Sequence, residues 1–134
     1  MNSPNSRARI ILCLGMLFSN LIYLGLAFYL EATRRPPVGD ALAQLRLPLT
    51  IVAGAVIVAG GALSLRLRAE QEPRPFQTTM ILCLALLEAC TIDGLVLFFV
   101  GLPAKEFAVF AGVSLAAQAL LVLPKVLAYR DARQ

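Results

Sequence analysis

At 134 residues, with 59% apolar and 15% charged side chains and a mean hydropathy of +0.78, the chain carries more apolar surface than a soluble core of its size can bury. A soluble domain is near half apolar with about a quarter of its residues charged, so lipid is the expected solvent and a water-soluble enzyme or binding module is excluded. The net charge of +4 sits at the ends of apolar runs, where membrane proteins place it. Without aromatic residues interleaved among those cations, it argues against a nucleic-acid partner.

Four apolar segments follow in chain order, at about 8–30, 47–65, 76–101 and 107–128. Each is long enough to cross the hydrocarbon core as a helix, which takes about 20 residues at ~1.5 Å per residue. Helix is the state that satisfies every backbone group within the segment, and none of the runs shows the alternation of a barrel strand. The expected fold is therefore all-α, a four-helix transmembrane bundle in a single membrane domain over residues 1–134.

The first segment is longer than the apolar part of a signal peptide and no A-x-A site follows it, so it is read as a retained helix. "RRPPVGD" (34–40) ends it, and Pro48 suits the first turn of the second helix. The stretch 31–46 is the one substantial loop. "EPRP" (72–75) separates the second and third segments, and "GLP" (101–103) the third and fourth.

Four spans put the N-terminus, the 66–75 loop and the C-terminus on one side of the membrane. That side holds Arg7, Arg9, Arg66, Arg68, Arg74, Lys125, Arg130 and Arg133, eight cations against Arg34, Arg35, Arg46 and Lys105 on the other. The excess places both termini in the cytoplasm, in a multi-pass protein of a bacterial inner membrane. The C-terminal "KVLAYRDARQ" reads as a basic helix end within reach of phosphate or lipid headgroups.

Cys13, Cys83 and Cys90 all lie within apolar runs, and their odd number argues against a disulfide framework. With no His and no cysteine pair at ligand spacing, no metal or cofactor is expected, and no nucleophile–base set suggests an enzyme.

The polar residues at membrane depth carry the functional information. Glu88 lies midway along the third segment, close to ~18 Å from either end. An acid at helix centre costs about 2.5–3.5 kcal/mol to insert and is a functional-site candidate by default. The alternative is a protonated carboxyl that hydrogen-bonds a neighbouring helix. Asn20 and Gln118 occupy similar depths in the first and fourth segments, in reach of Glu88 if the helices face correctly. Asp93 is five residues beyond Glu88 and about 140° around the helix, so the two carboxylates do not share a face. In the second segment, Ala55, Ala59 and Ala62, with Gly54 and Gly61 alongside, form a small-residue stripe for close helix packing, either inside the protomer or between protomers.

The 54–101 hairpin resembles the proteolipid c subunits of rotary F-type and V-type ATPases. In that family a small-residue helix leads through a polar loop into a helix with an A-L-x-E-x-x-x-I-x-G-L-V-like motif. Here "RAEQEPRPFQTTM" is followed by "LALLEACTIDGLVLFF", and Ala85, Leu86, Glu88, Ile92, Gly94, Leu95 and Val96 match. The chain also resembles small four-helix bacterial membrane proteins that carry such a hairpin. The resemblance implies a c-like central hairpin, a homo-oligomeric ring, and proton or ion binding and translocation at Glu88; Asn20 and Gln118, from their depth, and Asp93, a second acid in the same segment, are the further ion-binding candidates. Membrane lipid and other membrane subunits are the implied partners. A non-transporting structural or assembly subunit, in which Glu88 only pairs helices, is the competing expectation.

Overall fold

The computed structural model describes residues 4–34 and 39–133, with nothing described of the side chain of Pro4. Its elements are α1 (Pro4–Glu31), α2 (Ala41–Ser64), α3 (Pro73–Phe99), α4 (Ala104–Ala117), a π-helical turn (Gln118–Val122) and α5 (Leu123–Asp131), with no strand among the described residues. The last three run on as one span, so that four helices, Asn5–Glu31, Ala41–Ser64, Pro73–Phe99 and Ala104–Asp131, are long and apolar enough to cross a membrane. This is the architecture of a multi-pass integral membrane protein.

The helices overrun the apolar bounds read from the sequence, because a helix does not end where the hydrocarbon does. α2 begins nearly two turns early, at Ala41, and takes in the last part, 41–46, of the stretch expected to be loop. Pro48 consequently sits inside the helix rather than in its first turn. Its ring nitrogen has no proton for the Gln44 carbonyl, and the Thr50 hydroxyl bonds back to the Arg46 carbonyl at 2.6 Å. α1 ends at Glu31, ahead of the "RRPPVGD" stretch, of which residues 35–38 lie outside the described residues.

α3 is the core helix: half of its apolar window is buried inside the protomer, against 17% for α1 and α2 and 28% for the fourth span. Phe76, Met80, Cys83, Leu84 and Leu87 face inward along its first half, and Leu97 and Phe98 along its second. The outer faces of the other helices expose Ile11, Phe18, Ile22, Val58, Val109 and Leu120, an apolar surface that suits lipid and not water.

The helix ends are closed by specific groups. Gly101, at φ +124°, lets the chain reverse after α3. Its N–H bonds Phe98 O at 3.1 Å and that of Leu102 bonds Leu97 O at 2.9 Å, the paired bonds of a Schellman cap. Arg34, three residues past the end of α1, donates to Phe98 O at 2.7 Å and Leu102 O at 3.0 Å, while Glu31 Oε1 accepts the N–H of Ala104 at 2.7 Å at the start of α4. At the opposite end, Lys125 donates to Ser64 O, the last carbonyl of α2. Cations thus sit where helix C-termini are negative.

Candidate functional site

Two apolar clusters make up the protein interior. One joins Cys13, Leu67, Phe76, Met80, Cys83, Leu84, Leu87, Val122, Val126 and Tyr129; the other joins Ala27, Leu97, Phe98, Leu102, Ala104, Phe107 and Ala111. Every span that contributes to both contributes polar residues between them: Ser19 and Asn20 from α1, Glu88 and Thr91 from α3, Ser114 from α4 and Gln118 from the π turn. The result is a polar layer across the middle of the bundle.

Glu88 is the hub of the layer and is 7% exposed. Asn20 Nδ2 donates to Glu88 Oε2 at 2.9 Å, and Gln118 Nε2 donates to the same oxygen at 2.9 Å. Ser19 Oγ stands 2.8 Å from Oε1. The residues placed at one depth by counting along the chain therefore meet at one carboxylate.

The neighbours fix which way each amide points. Thr91 donates its hydroxyl proton to Asn20 Oδ1, which turns Nδ2 toward Glu88 and toward Met16 O, 3.1 Å away. Ser114 donates to Leu87 O at 2.7 Å, so its oxygen is left to accept from Gln118 Nε2, at 3.3 Å. The amide oxygen Gln118 Oε1 is buried without a partner. Gln118 opens the π turn, which precedes Pro124; the proline has no N–H for an α-helical bond to Leu120 O, and Leu123 N–H bonds instead to Gln118 O. The widened turn that accommodates Pro124 is thus the one that presents Gln118.

Ser19 decides what the carboxylate can do. Its hydroxyl has one proton and lies near two acceptors, Met16 O at 2.7 Å and Glu88 Oε1 at 2.8 Å. With Glu88 ionised, Ser19 donates to Oε1. With Glu88 protonated on Oε1, the carboxyl donates to Ser19 Oγ and the hydroxyl turns its own proton to Met16 O. Both arrangements use the same atoms without leaving a new polar group unpaired.

Asp93 does not join the layer; it is half-buried, and its Oδ2 is buried with no partner. Gly54, Ala55, Ala59 and Ala62 are exposed on the outside of the protomer, and a Cβ on Gly61 would touch only Leu121, at 3.7 Å. The inward face of α2 is instead Ala53, Gly60 and Ser64, with a Cβ on Gly60 2.8 Å from Leu87 Cδ2. Ser19, Thr91 and Ser114 escape a reading for charged or amide groups. Their spacing is the available signal: Ser19 adjoins Asn20, Thr91 is one turn from Glu88, and Ser114 is one turn from Gln118.

Compared with protein-family models, with curated proteins and with solved structures, the chain matches none.

Proposed function

We propose that the protein binds and releases a proton at Glu88 and carries it across the membrane, acting as a c-like proteolipid in a homo-oligomer. The observation that carries this reading is the Ser19 hydroxyl between Met16 O and Glu88 Oε1. A buried carboxylate held only by fixed donors would be trapped in its ionised form, whereas here one hydroxyl rotation exchanges the two protonation states. The match of Ala85 to Val96 with the proteolipid motif supports the assignment, with Glu88 in the place of the ion-carrying acid. The outward-facing Ala55, Ala59 and Ala62 support association between protomers. The eight-to-four excess of cations supports both termini lying in the cytoplasm of a bacterial inner membrane. The role is that of a carrier and not of an enzyme, and it would bring the protein into contact with other membrane subunits.

A second reading, in which Glu88 only pairs helices, is favoured by the convergence of α1 and the π turn on one carboxylate inside a single protomer. Proton flux separates the two. Vesicles that enclose a pH-sensitive dye, with and without reconstituted protein, are given a potassium–valinomycin potential and their acidification is followed. Wild-type protein is expected to acidify the lumen faster than protein-free vesicles do, and Glu88→Gln to fall to that background while keeping its unfolding temperature. Equal rates for wild-type protein and Glu88→Gln, both above background, would reject Glu88 as the carrier; a wild-type rate equal to that of empty vesicles leaves helix pairing as the role.

A further inference from the structure

The start of α1, the α2–α3 loop and the end of α5 meet in a cationic corner in which Glu88 takes no part. Its centre is the buried ring of Tyr129, stacked on Phe76 with ring centroids 3.8 Å apart and planes inclined by 17°. The guanidinium carbons of Arg9 and Arg133 lie 5.0 Å and 5.2 Å from the centroid of that same ring. Gln71 O holds the corner together, accepting from the Tyr129 hydroxyl at 3.1 Å and from Arg133 Nη2 at 2.6 Å.

Arg9 is the anomaly. It is 7% exposed, and among the described residues its buried Nε has no hydrogen-bond partner and neither it nor Arg133 forms an ion pair. An arginine at a membrane boundary ordinarily extends its head into water. This one is folded against an aromatic ring, with a second guanidinium at the same ring and like charges repelling. Among the described residues no acid pairs with either arginine: Asp131 is bonded to Arg130 at 2.9 Å, and Glu70 and Glu72 form no ion pair. Arg66 and Arg68, with Glu70 as the one acid beside them, line an open cleft of about 660 Å³ that reaches Gln71.

We infer that Arg9 and Arg133, positioned by Tyr129, form a binding site for a phosphate-type oxyanion, supplied either by an anionic phospholipid headgroup or by free phosphate. Guanidinium is the group for this task, since its planar fork matches the oxygens of a phosphate and stays charged at any physiological pH. The anion would relieve the repulsion between the two arginines and give Arg9 the acceptor it lacks. Because the corner joins α1, α5 and the α2–α3 loop, an occupied site would also tie together the ends of all four spans on that side. The inference stands independently of the role of Glu88.

The test is thermal unfolding of delipidated protein in a neutral detergent. Separate samples receive phosphatidylglycerol, phosphatidylcholine or inorganic phosphate, at constant ionic strength. Phosphatidylglycerol is expected to raise the unfolding midpoint by several degrees and phosphatidylcholine to leave it unmoved. Arg133→Gln, at an exposed position outside the core, should lose most of the shift, whereas Arg130→Gln, with the same loss of charge at the same end, should keep it. A shift reproduced by inorganic phosphate and lost in Arg133→Gln assigns the site to the free oxyanion, and one seen only with phosphatidylglycerol assigns it to the lipid. No shift with either anion, or a shift as large in Arg133→Gln as in wild type, overturns the site. The comparison rests on Arg133 and Arg130, so it needs no substitution of the buried Arg9.

Discussion

At the scale of single residues, the polar layer is held by hydrogen bonds whose directions are set by their neighbours, so its members are not equivalent. Thr91 touches Glu88 only through Asn20, by donating to Oδ1. Thr91→Val keeps the shape and removes that donor, and is expected to cost about 0.6–1 kcal/mol, as membrane hydrogen bonds do. Asn20→Leu removes the donor to Glu88 Oε2 and leaves the Thr91 hydroxyl without its acceptor. It is expected to cost more, roughly 1–3 kcal/mol, through groups buried unpaired. Unfolding midpoints of the two variants in detergent give the ranking, and a Thr91→Val protein as stable as wild type would mean that Thr91 does not orient the amide. How far the layer was legible follows from the same chemistry. Asn20, Glu88 and Gln118 announce themselves because carboxylates and amides are costly at membrane depth. Ser19 is the residue that gives Glu88 two satisfied states, yet a serine can bond its own helix, as Ser19 does to Met16 O, and so it leaves no comparable mark in a sequence.

Among the elements, α3 and α4 approach each other at Gly94. A Cβ there would lie 2.6 Å from Phe110 Cβ and 3.2 Å from Phe107 Cδ2, so the two helices can close only on a glycine. Gly94→Ala is therefore expected to force α3 and α4 apart, at a cost of about 1–3 kcal/mol from overpacking. Gly112, where a Cβ would meet nothing within 4 Å, serves as the control on α4. Gly112→Ala is expected to be neutral or to stabilise by up to about 1 kcal/mol through helix propensity. Unfolding of the two variants side by side tests the contact, and a Gly94→Ala protein as stable as wild type would remove it. Helix number and approximate position were legible because twenty apolar residues have few other uses. The inward face of α2 was not, because Ala55, Ala59 and Ala62 are as small as Ala53 and Gly60, and composition does not reveal which side meets Leu87. The π turn was hidden for a related reason. Pro124 signals a break, but an interruption of the helix, a kink and a widened turn are all ways of accommodating a proline.

For the whole molecule, sidedness is the property that any transport role requires. Gln71 O, bonded by Tyr129 and Arg133, and Arg9, lying over the Tyr129 ring, bring the α2–α3 loop, the end of α5 and the start of α1 to one end. Arg34 on the α3–α4 connection and the 2.7 Å pair of Arg46 with Glu106 mark the other. The first end carries twice as many Lys and Arg residues as the second, and short flanking loops rich in cations resist translocation. The native cysteines do not obstruct a direct measurement, since Cys13, Cys83 and Cys90 are all buried. With single cysteines introduced at Arg68 and, separately, at Lys105, intact bacterial cells expressing the protein are treated with a membrane-impermeant maleimide. The Lys105 position is expected to label in intact cells. The Arg68 position should label only after the cells are opened, because the proposed orientation puts it with both termini on the cytoplasmic side. The reverse pattern would invert the protein and put the Arg9–Arg133 corner on the outer face. Labelling of both positions in intact cells would mean that the population inserts in two orientations, and a proton carried through Glu88 would then have no fixed direction.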